Sequence, residues 1–249
     1  MGCGNLPVAM RASNTGDALD TAARRLGGGV LAAMARGQLG FSVRCTPRRW
    51  TVIASLPELG TVFGKIRRGR MRDAKAEWSW LRDLPRLGLA VPEPVGFWRQ
   101  GSTSVVATLA VRGQGLDALL RAALARGDAA AAVRFACRVV APVVARLHEQ
   151  GLVFRDLYWN HLFAVGLDAD QVTFLDVERV FRPWFRRRRW IVKDLAGLLS
   201  SAPEQVSRTM ALRFLLAYLG PRDRALAAAL ARDVARKAAR IRAHVPRYG

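Results

Sequence analysis

The sequence predicts an α+β fold of two lobes, a small β-rich lobe followed by a larger helical one. Three observations predict it. Short runs rich in β-branched and aromatic residues fill the stretch from about 41 to 111. From residue 112 onward apolar residues recur mostly with helical spacing. Between two apolar flanks, the stretch VFRDLYWNHLFA (153–164) is too polar for a core and too aromatic for an ordinary solvated loop. A polar loop held between buried segments is a common way to present chemical groups.

The elements follow in order. Residues 1–36 are mixed in pattern, with GGG at 27–29, and read as a mobile or weakly helical extension. FSVRC (41–45), WTVIA (50–54) and TVFGKI (61–66), separated by TPRR and LPELG, read as a three-stranded meander. Over 73–87 the period changes: Trp78, Leu81, Leu84 and Leu87 form one helical stripe, Gly88 is the stop, and Pro92 and Pro94 prevent continuation. Two further strands at 95–98 and 104–111 close the small lobe at 37–111. The large lobe spans 112–249. It opens with helices at 116–126 and 128–150, the second kinked by Pro142 and capped by Gly151. A short strand (152–154), the polar loop and a hairpin turning around 168–171 come next. Helices at 193–201, 205–219 and 222–243 complete the chain.

Composition bounds the partners. The chain has 249 residues, 51% of them hydrophobic, enough to bury a substantial core. Its net charge is +21, carried almost wholly by Arg, since Lys65, Lys75, Lys193 and Lys237 are its only lysines. Part of this excess reads as coding bias. The remainder favours anionic partners: nucleotide phosphate, acidic lipid or nucleic acid. Three dispersed cysteines (Cys3, Cys45, Cys137) have no metal-ligand spacing and suit a reducing cytosol. No apolar run reaches ~18 residues, so no membrane-spanning helix is expected. The start MGCGNLPV has no charged head followed by an apolar run, as a secretory signal needs. Leu6 stands where N-myristoylation wants Ser or Thr after Gly2. The expected location is the cytoplasm, with peripheral contact at the inner face of the cytoplasmic membrane.

A small β lobe joined to a helical lobe is one way to build a phosphoryl-transfer cleft, and the chemistry needs few parts. A cation holds the nucleotide phosphates, one carboxylate places that cation, a second holds Mg²⁺, and a third orients the acceptor hydroxyl. Lys65 lies in the third strand of a chain that otherwise prefers Arg; a compact ammonium suits phosphate, although an edge-strand lysine looks the same in sequence. Glu77 shares the apolar stripe of the following helix, where a carboxylate needs a partner, and Lys65 is the nearest candidate. Asp156 in FRD and Asp176 in FLDV stand at the ends of a short hairpin and can converge. Taken singly, either aspartate is more often a turn or cap residue.

The run LHEQGLVFRDLYWNHLFA…VTFLDVERV…RWIVKDLAGLLSS resembles the bacterial lipopolysaccharide kinase family, which phosphorylates heptose or Kdo of the inner core and has a protein-kinase-like fold. The resemblance covers roughly residues 45–220 and is strongest over 147–201. It implies ATP and Mg²⁺ as cofactors and the following roles. Asp156 is the catalytic aspartate. Tyr158 and His161 follow it at the family's spacing, and His161 assists metal or phosphate. Asp176 is the Mg²⁺ ligand, Lys65 the strand lysine and Glu77 its helix partner. Asp194 braces the catalytic loop, with Arg155 as further support. There are departures. Phe154 replaces a His, DVE replaces DFG and removes a glycine hinge, and Phe63 replaces a small residue over the adenine. No Gly-rich turn precedes Lys65, so Arg48 and Arg49 are expected to meet the phosphates.

Between Asp176 and Asp194 lies ERVFRPWFRRRRWIVK. Here Arg186, Arg187, Arg188 and Arg189, with Trp184 and Trp190, are candidates for docking an anionic glycolipid or saccharide at an acidic membrane surface. A solvated charge run and a nucleic-acid strand are the competing readings, the latter less favoured. For the whole chain, the alternatives to a lipopolysaccharide kinase are a protein Ser/Thr or small-molecule kinase of the same fold, or a non-catalytic basic scaffold binding membrane or nucleic acid.

Overall fold

A computed structural model describes residues 27–46, 48–57, 59–69, 74–220 and 224–244. The expectations for the first 26 residues, including Gly2 and Cys3, lie outside them.

The small lobe is a five-stranded antiparallel sheet built from β1 (Phe41–Thr46), β2 (Arg49–Leu56), β3 (Gly60–Arg68), β4 (Pro94–Gln100) and β5 (Thr103–Leu109), ordered β1-β2-β3-β5-β4. The meander read from sequence is β1 to β3. β3 is the central strand, so Lys65 is not an edge-strand residue: it pairs with Thr51 on one side and Val106 on the other. Period-two alternation sorts β3 into two faces. Val62, Gly64 and Ile66 point one way; Phe63, Lys65 and Arg67 point the other.

Each face is covered by a helix. Of the stretch read as a mobile or weakly helical extension at 1–36, the last ten residues are described, and they are helical. Gly27–Arg36 forms α1, which lies on the Val62–Ile66 face. Leu31, Met34 and Ala35 join Val52, Val62, Ile66, Val95, Val105 and Ala107 in one apolar core. Three glycines are poor helix formers; burial of the Leu31–Met34–Ala35 stripe outweighs that penalty. Gly64 is small because Met34 sits over it: a Cβ there would lie 3.1 Å from the Met34 methyl carbon. On the other face lies α2 (Lys75–Asp83), whose Trp78 stacks on Phe97 with ring centroids 6.2 Å apart. A short 3₁₀ turn (Pro85–Leu87) follows, and Gly88 ends it at φ 71°, a left-handed conformation suited to glycine.

The large lobe begins with the two-residue strand β6 (Gln114–Gly115) and α3 (Leu116–Ala125). Next come α4 (Ala129–Phe135), a π-helical stretch (Ala136–Val140) and α5 (Ala141–Glu149). Pro142 has no N–H to return to the carbonyl four residues back. The wider turn directly before it is how the chain accommodates that loss, in place of a simple kink. After Gly151 (φ 75°), Leu152, Val153, Phe154 and Leu157 are buried and anchor the polar loop from below. The stretch expected as a strand at 152–154 makes only a single bridge, Val153 to Phe181. The expected hairpin is present as β7 (Leu162–Ala164) and β8 (Thr173–Phe174), extended to three strands by β6. Three helices close the lobe: α6 (Arg187–Ser201), α7 (Arg208–Leu219) and α8 (Arg224–Arg242). α6 begins six residues earlier than the sequence suggested. Among the described residues no helix is long and apolar enough to cross a membrane.

Candidate active site

Alternation on β3 delivers Lys65 to the face that meets α2, and the helical repeat of α2 puts Glu77 on its buried stripe with Leu81. Lys65 Nζ donates to Glu77 Oε1 at 2.5 Å and to Asp176 Oδ1 at 2.9 Å. Asp176 comes from the large lobe, after β8, with φ 61°. Three of the residues singled out from sequence thus meet where the lobes face each other. Burial by itself would lower the Lys65 ammonium, yet Glu77 and Asp176 outweigh it and hold it above its ordinary value. Burial would raise the Asp176 carboxyl. Lys65, then Arg49 and His161, hold it below its ordinary value instead.

Around this centre the cluster is larger than the sequence suggested. Arg49 Nη2 lies 3.1 Å from Glu178 Oε1 and 3.6 Å from Asp176 Oδ1. Arg67, only 5% exposed, pairs with Glu77 at 3.4 Å and also with Glu178. Arg67 and Glu178 were both missed, although each had a signal: each stands two residues beyond a singled-out residue, Arg67 on the same strand face as Lys65. Glu178 occupies the position read only as a lost hinge. It is an ion-pair partner of the small lobe. Arg48 is exposed in the β1–β2 turn, outside this cluster, so of the two arginines expected at the phosphates only Arg49 enters it. Glu77, Asp176 and Glu178 each offer a carboxylate oxygen within 4.8 Å of the others. An all-oxygen set fits a hard divalent cation such as Mg²⁺ better than an imidazole nitrogen does.

A second centre surrounds Asp156. Arg179 Nη1 donates to both carboxylate oxygens, at 2.9 Å and 2.7 Å. Lys193 Nζ lies 3.9 Å from Oδ1 and donates to the Arg155 carbonyl at 2.6 Å. Burial, ahead of its charged neighbours, holds Lys193 below its ordinary value. His161 Nδ1–H donates to the Asp156 carbonyl at 2.7 Å, which leaves Nε2 for any further partner. Beside it, burial followed by Asp156 raises the Tyr158 phenol.

The loop carrying Asp156 is held by Asp194, which is fully buried. Asp194 accepts the Phe154 N–H at 2.6 Å and the Arg155 N–H at 2.8 Å, and lies 3.3 Å from His148 Nε2. Arg155 sits at φ 72°, with its guanidinium over the rings of Phe181 and Trp190, at 5.7 and 5.5 Å. Of the two residues expected to support the loop, Asp194 bonds its backbone, and Arg155, part of the loop itself, reaches out to Phe181 and Trp190.

The basic segment divides. Trp184 is 91% exposed and Phe185 stacks edge-on against it, with Arg186 beside Phe185 at the start of α6. The other residues are exposed or half-buried, and each has a partner in the fold. Arg187 donates to the His148 carbonyl, Arg188 pairs with Asp233 at 2.7 Å, and Arg189 and Lys193 flank the Trp190 ring. Trp190 packs edge-on against Phe181. Arg186, Arg187, Arg188 and Arg189 are all exposed and Trp190 is half-buried, so the candidates for docking all present surface at the start of α6. Three arginines begin a helix where the dipole disfavours cations, and the His148 carbonyl and Asp233 offset this. Elsewhere in the large lobe, an apolar cavity of about 430 Å³ lies among α3, α4, α6, α7 and α8, lined chiefly by Leu, Ala and Val. It contains none of the charged residues of the two centres.

The sequence model of the lipopolysaccharide kinase (Kdo/WaaP) family matches residues 60–218. A solved structure described as WaaP in complex with acyl carrier protein is similar at 26% identity and a TM-score of 0.71, over 88% of this chain and 95% of that one. An aminoglycoside-3'-phosphotransferase of type VIII is similar at 17% identity and a TM-score of 0.54, over 88% and 98%. That second likeness concerns the fold, which is protein-kinase-like. Comparison with curated proteins finds no significant match.

Proposed function

Since the chain belongs to the lipopolysaccharide kinase (Kdo/WaaP) family, we propose that it uses ATP to phosphorylate a sugar hydroxyl of the lipopolysaccharide core or of a related anionic glycolipid. The observation that carries this reading is the meeting of Lys65 with Glu77 and Asp176, at 2.5 and 2.9 Å, across the two lobes. An ammonium placed by one carboxylate beside a second is what a nucleotide triphosphate requires: a positive charge for its phosphates and an oxygen ligand for its metal.

In this reading Lys65 and Arg49 receive the nucleotide phosphates and Glu77 fixes Lys65. Asp176 and Glu178 would hold Mg²⁺, which when bound neutralises charge on the β and γ phosphates. Asp156 orients the acceptor hydroxyl and takes its proton. His161 Nε2 supplies a further polar contact to phosphate or metal. Asp194 and Arg155 keep the Asp156 loop in place. The exposed Trp184, Phe185 and Arg186 suit a peripheral contact with an acidic membrane surface from the cytoplasmic side, where indole rings favour the interface and each basic residue adds about 1 kcal/mol. The solved WaaP is bound to acyl carrier protein; a carrier-protein contact is a second partner to test for this chain.

The experiment has two parts. Native-state binding raises the melting temperature, so Mg-ATP is expected to stabilise the purified protein and ATP without metal to do so less. Labelled ATP offered with lipopolysaccharide core, with free monosaccharides and with a protein substrate is expected to label only the first. Stabilisation by Mg-ATP with labelling of protein alone would replace this reading by a protein kinase, and no stabilisation would leave a scaffold.

A further inference from the structure

Asp156 is not free in this structure. One guanidinium nitrogen of Arg179 bonds both of its oxygens, and Lys193 stands behind the same carboxylate at 3.9 Å. Asp194, the next carboxylate along, cannot draw these cations off, because it is buried and spent on two backbone amides and His148. Around Asp156, then, Arg179 and Lys193 face one available anion among the described residues. The arrangement differs from that of Arg67, which is enclosed by carboxylates: Arg179 is 42% exposed at the end of the short turn Val177–Arg179, directly after Asp176.

A carboxylate whose two oxygens both accept from a guanidinium is a weaker acceptor for a hydroxyl proton, because the cation draws on its charge. For Asp156 to act on an acceptor at full strength, the guanidinium must leave. A half-exposed ion pair is weak enough to exchange partners, provided another anion is offered; a guanidinium left without one has lost a charge-assisted bond. A neutral sugar offers none. A sugar bearing a phosphate or carboxylate close to the reacting hydroxyl offers one within the same encounter.

Resting on the kinase reading above, we infer that Arg179 is the specificity-determining residue of the acceptor site. Without acceptor it occupies Asp156. With acceptor it moves to an anionic group, phosphate or carboxylate, that the saccharide carries beside its reacting hydroxyl, and so uncovers Asp156 only for acceptors that are already charged. Lys193 fixes the position of the loop through the Arg155 carbonyl and keeps the pocket positive while Arg179 exchanges. Arg179 is thus a positioning residue for the acceptor; bond making belongs to Asp156 and the nucleotide.

The test is binding of matched saccharides to the full chain with a non-hydrolysable ATP analogue and Mg²⁺, followed by calorimetry. The probes are a core oligosaccharide carrying both anions, its dephosphorylated form and its carboxyl-reduced form. The wild type is expected to bind the charged probe at least about tenfold tighter than the form lacking the anion that Arg179 reads, and the two neutralised forms identify which anion that is. Arg179→Gln is expected to erase the preference, while Arg179→Lys keeps part of it. In turnover, the loss in Arg179→Gln is expected in KM for the charged acceptor. Arg179 is partly solvated, so the variant should fold, and its melting temperature reports this. Equal weakening of all probes by Arg179→Gln overturns the assignment, as does a preference that survives the substitution. A selective loss of ATP affinity relative to ADP overturns it too, since the anion read would then be the γ-phosphate. If the wild type shows the preference and Arg179→Gln erases it, but no phosphate is transferred, the kinase reading fails and the assignment of Arg179 as the anion reader stands.

Discussion

Arg67 on the central strand of the small lobe is paired with Glu178 of the large lobe, two residues beyond Asp176. The pair joins the lobes through a nearly buried guanidinium, and Glu77 supplies its second carboxylate at 3.4 Å. Glycine at position 178 would leave a hinge; glutamate leaves a tether. The segment after Asp176 is therefore held against the small lobe by charge, and two expectations follow for this tether and the lysine beside it.

Glu178→Gln should lower stability by about 1–3 kcal/mol, because the amide keeps one acceptor oxygen but no charge, and one of the two arginines then faces an NH₂ donor. For a chain of this length that is a fall of about 2–4 °C in melting temperature per kcal/mol. Glu178→Asp should cost no less, because the shorter side chain withdraws from Arg67. Melting curves of the two variants decide it, and an unchanged melting temperature in both would remove the tether.

The Lys65–Asp176 pair makes stability depend on pH at both extremes. The folded Asp176 carboxyl lies below its unfolded value of about 3.9. Its contribution is therefore present above about pH 4 and lost as pH falls through the folded value. Lys65 is raised above its unfolded value of about 10.4; its contribution is present below that pH and lost as pH rises through the folded value. Thermal melts across pH should show the difference between wild type and Asp176→Asn shrinking in acid, and that between wild type and Lys65→Gln shrinking in alkali. Differences that stay constant through both windows would contradict the pairing.

Asp156→Ala should reduce phosphoryl transfer by at least about 10²–10⁴-fold, the usual contribution of a positioned acid–base group. The fold should survive, because the partners left behind, Arg179 and Lys193, are partly exposed and can be hydrated. Turnover with labelled ATP and a melting curve are the two measurements; full activity in the alanine variant would refute the role.

Asp194→Ala should behave oppositely. It orphans the Phe154 and Arg155 amides, each at about 1–3 kcal/mol, and removes the carboxylate beside His148. Denaturant unfolding should show a stability loss larger than that of Glu178→Gln, with transfer lost through disorder of the loop. A variant as stable as the wild type would mean that the loop is held by other contacts.

Met34→Ala should destabilise the protein by about 2–5 kcal/mol, as for other fully buried side chains truncated in a core. If residues 27–36 were a mere extension, the substitution would be silent, so one unfolding curve separates the two.

Much of this molecule was legible in the chain alone, for a local reason. Period-two alternation around Lys65 and the helical stripe carrying Glu77 and Leu81 report which face each side chain takes, and a face is a property of neighbours a few residues away. The stops at Gly88 and Gly151 are local in the same way, because only their own backbone conformation demands glycine. Tertiary structure decided the partners. In a chain with 40 Lys and Arg residues, many cations are equivalent in sequence. Which of them meets Glu178 or Asp156 depends on how two lobes dock, and Coulomb attraction acts over a few ångströms of space, whatever the separation along the chain. That is why the partners of Arg67 and Arg179 emerged only in three dimensions, and why the neighbours of Arg187, Arg188 and Trp190, the His148 carbonyl, Asp233 and Phe181, did so too. The helix at 27–36 belongs with them: its glycines argue against helix locally, and only the apolar back of the sheet, assembled from strands up to 80 residues away (about that in sequence), makes it worth forming.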